Sequence, residues 1–109
     1  LKQLGANGNV TDAYEKMEKH IEQYVRKQIE KMGGRCLKWV CPGNAGVPDR
    51  IVLLPKHKVY FIEFKDGRYE PTPLQEWWGD ELSRMGFKWV IIRGIDEAHV
   101  FIKWLRSDA

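Results

Sequence analysis

Between residues 46 and 65 the chain reads Gly46-Val47-Pro48-Asp49-Arg50-Ile51-Val52-Leu53-Leu54, then Pro55-Lys56-His57-Lys58, then Val59-Tyr60-Phe61-Ile62-Glu63-Phe64-Lys65. Two apolar runs rich in β-branched and aromatic residues, parted by a short turn, predict a pair of strands. Successive side chains of a strand point to opposite faces, so Glu63 and Lys65 share one face and Tyr60, Ile62 and Phe64 take the other. Charges set in so apolar a run form either a solvated strand edge or a partly buried patch, and buried acids are seldom left without a partner or a metal. Asp49, after a Gly-x-Pro turn at the mouth of the neighbouring strand, is placed to reach the same patch. Two carboxylates and a lysine converging there suit a hard divalent cation held by oxygen ligands.

The rest of the chain supplies layers for these strands. Residues 1–10, with Gly5, Asn7, Gly8 and Asn9, lack periodicity and are expected to be a flexible leader ahead of one domain over 11–109. Thr11 and Asp12 offer an N-cap, with Glu15 as in a capping box. Met17, Ile21, Tyr24, Val25, Ile29 and Met32 recur at helical spacing until Gly33-Gly34. A short strand is predicted over 35–40, and the glycine-bearing loop that follows, with Asn44 in it, is supple enough for its backbone to approach a phosphate. Thr72-Pro73-Leu74-Gln75 is a helix start, and that helix runs to about Met85 with Leu74, Trp77, Trp78, Leu82 and Met85 on its apolar side. A strand over 88–92 and a helix over 96–106 complete the order α-β-β-β-α-β-α. That order packs as an α/β fold with a mixed central sheet flanked by helices.

Composition narrows the partners. A chain of 109 residues holds one modest core. A formal charge of +3 permits a polyanionic partner without demanding one. Cys36 and Cys41 are the only cysteines, too few for a disulfide scaffold or a zinc site, and both are expected to be reduced. No signal-peptide pattern and no apolar run near twenty residues is present, so the expectation is a soluble, cytoplasmic protein with no membrane segment. Five tryptophans are many for this length, and large aromatics are enriched at subunit contacts.

Pro48-Asp49 followed by Glu63-Phe64-Lys65 resembles the metal-binding signature of the PD-(D/E)XK nuclease superfamily, and with Gly46-Val47 before it, Arg50 within it and Gln75 downstream, the pattern resembles the VRR-Nuc (virus-type replication-repair nuclease) family. The resemblance runs from about Glu18 to about Leu105. It implies a restriction-endonuclease-like αβββαβ core and a structure-specific DNA endonuclease acting on branched DNA, flapped or Holliday-junction-like, in replication, recombination or repair. It also implies Mg²⁺, with Mn²⁺ as the alternative, held by Asp49, Glu63, the Phe64 carbonyl and an acid of the first helix. Motif position favours Glu18 for that acid, with Glu22 one turn on as the alternative. Lys65 is expected to orient or deprotonate the attacking water. Gln75 is read both as the third residue of a capping box and as a substrate or water contact. Lys38, Asn44, Arg50 and Arg68 are expected to grip DNA phosphates, as are Lys88 or Arg93. A homodimer, joined through Trp77, Trp78 or Trp104, is expected to match the two-fold symmetry of a junction, in a viral or bacterial host cell. The alternatives are a non-catalytic DNA-binding module and a sequence-specific restriction-type endonuclease.

Overall fold

A computed structural model of the chain describes residues 10–107, with side chains from Met17 onward. The order of elements is α1 (Val10–Lys31), β1 (Arg35–Lys38), β2 (Arg50–Leu54), β3 (Lys58–Phe64), α2 (Pro73–Arg84), β4 (Lys88–Ile92) and α3 (Ile95–Ser107). The leader expected over 1–10 lies outside the described residues except for Val10, which opens α1, and the side chains of the expected Thr11-Asp12 cap lie outside them too.

The four strands form one sheet in the order β1-β2-β3-β4. β1 and β2 pair antiparallel, as do β2 and β3, whereas β3 and β4 run parallel with α2 as the crossover. The β2–β3 turn places Lys56 and His57 at φ 68° and 64°, the left-handed region that matches the twist of a tight hairpin.

Alternation along β3 sorts the layers. Tyr60, Ile62 and Phe64 face the side that carries α1 and α3, where Val25 and Ile29 of α1 and Phe101, Ile102 and Leu105 of α3 close the core. Tyr60 meets Phe101 and Trp104 edge-on. Phe61 and Glu63 face the other side, where Phe61 meets Trp39 and Phe87 and the rings continue to Trp78 and Trp77.

Helix α2 packs by a different surface from the one expected. Leu74, Trp77 and Met85 are exposed, and the buried residues are Gly79 and Leu82. The cause is Trp89 of β4, whose ring lies so close that a Cβ on Gly79 would stand 2.3 Å from it. Glycine inside a helix costs about 1 kcal/mol against alanine, and here the missing side chain makes room for an indole. β1 stops at Lys38 rather than residue 40, although the Trp39 N–H still reaches the Asp49 carbonyl at 3.1 Å. Cys36 is packed in the core, and burial pushes its thiol up to about 11, so it serves as an inert filler.

Candidate active site at the mouth of the central strands

Asp49 sits just before β2 and is fixed at both ends. Its carbonyl accepts the Trp39 N–H, and its Oδ2 accepts the Phe64 N–H at 2.7 Å. That second bond spans from the start of β2 to the end of β3 and sets the Asp49 carboxylate beside Glu63, the residue before Phe64. The antiparallel register makes this possible: Arg50 pairs with Ile62, so the residue preceding one strand lies level with the last residues of the other.

Glu63 is only 2% exposed. Its Oε2 accepts from Gln75 Nε2 at 3.1 Å, and its Oε1 has no hydrogen-bond partner. An ionised carboxylate under those conditions has lost its solvent, and the charge of Lys65 offsets this only in part. Burial, and after it the negative charge of Asp49, pushes the Glu63 carboxyl from 4.5 to about 8. That direction favours a proton on Glu63 at neutral pH in the absence of a cation.

Gln75 closes the capping box expected of it and also bonds a site residue. Its Oε1 accepts the Thr72 N–H at 2.9 Å and its own N–H donates to Thr72 Oγ1, closing a capping box at the start of α2. The remaining end of the same amide donates to Glu63. Nearby, Trp78 Nε1 donates to the Ala45 carbonyl at 3.2 Å, tying α2 to the loop that leads into Asp49.

Lys65 continues the strand pairing through its N–H to the Ile92 carbonyl at 3.0 Å, and its side chain is half-buried. It opens on a cleft of about 430 Å³ that Glu18 also lines. Partial burial first, and then the charge of Asp49, raises the Glu18 carboxyl above its ordinary range. Glu22 is committed elsewhere, accepting from Arg50 Nε at 3.0 Å, which leaves Glu18 as the α1 acid turned toward the site.

The expected phosphate contacts divide. Lys38, Asn44 and Arg68 are exposed. Arg50 is not available: it is 8% exposed, paired with Glu22, and its NH1 donates to the Cys36 carbonyl at 3.2 Å. Adjacent strand residues point to opposite faces, so Arg50 turns into the α1 layer where Asp49 turns toward the site. Arg93 is tied to Glu70 at 2.9 Å, and Lys88 is exposed.

Among the described residues, no three His, Cys, Asp or Glu side chains close into a metal cage. The donor set is the Asp49–Glu63 pair, with Glu18 standing off. That set suits Mg²⁺, which takes one or two carboxylates and completes its shell with water and substrate phosphate. The unpartnered Glu63 Oε1 supports the same fit, since a cation would meet the oxygen that the protein leaves without a hydrogen bond. No described helix is long and apolar enough to cross a membrane.

An open mixed sheet with helices on both faces, carrying paired acids and a lysine at one end of its middle strands, is a restriction-endonuclease-like fold. No protein-family model matches the chain. Over 58 residues, 53% of this chain and 62% of the relative, it is 45% identical to "Putative nuclease p44" of Acyrthosiphon pisum secondary endosymbiont phage 1. A solved "VRR_NUC domain" superposes with a TM-score of 0.75 at 25% identity, covering 80% of this chain and 95% of that one. A solved "VRR_NUC domain protein" superposes at 0.61 with 21% identity, covering 82% and 84%. The chain shares the fold of these VRR_NUC domain proteins.

Proposed function

We propose that this domain is a divalent-metal-dependent DNA endonuclease, hydrolysing a phosphodiester of branched DNA at the Asp49–Glu63–Lys65 site. The observation that carries this is Glu63, a buried carboxyl with one bare oxygen, set beside Asp49 and two residues before a lysine on the same face. Asp49 and Glu63, with the Phe64 carbonyl and Glu18 as further oxygens, would hold the cation. Once bound, Mg²⁺ or Mn²⁺ supplies positive charge against the phosphate and acidifies the attacking water. The chain's own groups do the positioning. The Phe64 N–H pins Asp49, and Gln75 fixes the orientation of Glu63. Lys65 orients the water, assists its deprotonation and offsets charge gathering on the phosphate. Lys38, Asn44 and Arg68 contact the backbone without reading sequence. A homodimer presents two such sites to a branched substrate, with exposed Trp77 and Trp104 as its contact residues. Trp78 is not among them, because it is engaged with Trp39 and Ala45.

The test is a panel of labelled linear, flapped and four-way DNAs incubated with Mg²⁺, Mn²⁺ or EDTA. Cleavage confined to the cation lanes and to branched DNA is expected, with Lys65→Ala lowering the rate at least ~100-fold while DNA is still retarded in a gel. Equal cutting by Lys65→Ala, or cutting in EDTA, refutes the assignment. Retardation without cleavage under any cation identifies a binding module instead.

A further inference from the structure

The 430 Å³ cleft that Lys65 and Glu18 line has a character of its own. Met17 and Ile21 of α1 line one side and Phe64 the strand side, while Tyr69 lines it from the loop after β3. Tyr69 is 58% exposed, and the Arg68 guanidinium stands over its ring, 5.3 Å from the centroid. The loop that presents it is braced. The Asp66 carboxylate accepts the Arg68 N–H at 3.0 Å, and the Asp66 carbonyl accepts the Tyr69 N–H at 3.0 Å. The turn thus fixes the backbone from which the ring projects.

We propose that this cleft is a nucleobase subsite, which takes one unpaired base next to the phosphodiester at Lys65 and stacks it on Tyr69. Three observations on the cleft support that occupant. Phe64 and Lys65 belong both to the cleft and to the acid site, so whatever fills it is continuous with a phosphate at Lys65. Glu18 and Asp66 also line it, and the Arg68 that lines it too is paired with Asp66 at 3.4 Å, so beyond Lys65 the charges of the lining are matched or negative and do not draw in a second phosphate, which leaves the uncharged part of the nucleotide as the group that enters. The apolar walls and the exposed Tyr69 ring, with Arg68 over it, suit a π-surface, and base–aromatic stacking is tolerant of sequence. A base paired inside a duplex cannot reach such a pocket without leaving its stack, so the subsite selects strands already unpaired at a branch.

This inference rests on the nuclease reading only for the place of the phosphate, and binding in EDTA tests it without hydrolysis. The probe is a duplex with a single-stranded tail carrying 2-aminopurine at the first unpaired position, compared with a blunt duplex of the same sequence. The wild-type chain is expected to bind the tailed DNA about tenfold more tightly than the blunt one and to quench the 2-aminopurine. Tyr69→Ala is expected to lose both effects and keep its affinity for blunt duplex, and Tyr69→Phe, which preserves the ring, to retain them. Equal affinity of the wild-type chain for the two DNAs, unchanged quenching by Tyr69→Ala, or a loss shared equally by blunt and tailed DNA overturns the subsite. Absence of hydrolysis in Mg²⁺ would overturn the nuclease reading and leave this result standing.

Discussion

Replacing Glu63 by Gln isolates the electrostatic cost of the site. A carboxyl moved from 4.5 to about 8 by burial and by Asp49 keeps its proton in the native state over a range where the unfolded chain has released it. Stability changes with pH according to the difference in protons bound, and here the native state binds more. The penalty is therefore absent below pH 4.5, grows between 4.5 and about 8, and is constant above. At ~1.4 kcal/mol for each pH unit the ceiling is about 5 kcal/mol. Water entering around the carboxyl reduces it, and about 2 kcal/mol is a conservative expectation. The amide of Gln keeps an oxygen for Gln75 and offers an N–H₂ to Asp49, so the variant loses the charge without losing the shape. Melting curves in EDTA from pH 4.5 to 9 should show the wild-type midpoint falling relative to Glu63→Gln by about 8 °C, at ~4 °C for each kcal/mol in a domain of this size. Added Mg²⁺ should close the gap at pH 8 for the wild type alone, because cation and proton compete for the same oxygens. Parallel curves for the two proteins across the whole range would refute the claim that Glu63 carries an uncompensated charge.

Two further outcomes follow from packing. Gly79→Ala drives a methyl into the Trp89 ring and should destabilise the domain by about 1–3 kcal/mol in denaturant titrations, despite the better helix propensity of alanine. Arg50→Met strands Glu22 beneath α1 and should cost roughly 3 kcal/mol, while the slope of log affinity for DNA against log salt stays unchanged; a shallower slope would restore Arg50 as a phosphate contact.

Several of these features were readable in the sequence because they are local. Period-two alternation placed Glu63 and Lys65 on one face, and Thr72-Pro73 with Gln75 announced the cap of α2. Three others were not, each for a physical reason. The bond from Gln75 to Glu63 spans twelve residues and depends on how the crossover closes, so only the capping end of the side chain had a local signal. Helical spacing marked Leu74, Trp77 and Met85 as an apolar side, yet size complementarity with Trp89 chose the surface containing Gly79, and a glycine inside a helix was the available clue. Arg50 was assigned to DNA by its position near the sheet mouth. The alternation that linked Glu63 to Lys65 also separates Asp49 from Arg50, and would have turned that guanidinium inward.

The amide of Gln75 is shared between the first turn of α2 and the carboxyl of Glu63, and this imposes an order on maturation. Neighbouring acids alone do not complete the centre, because the lateral support for one of them arrives only with the connection that leads into β4. A nascent chain ending before residue 72 would thus hold Glu63 without the amide that supports it.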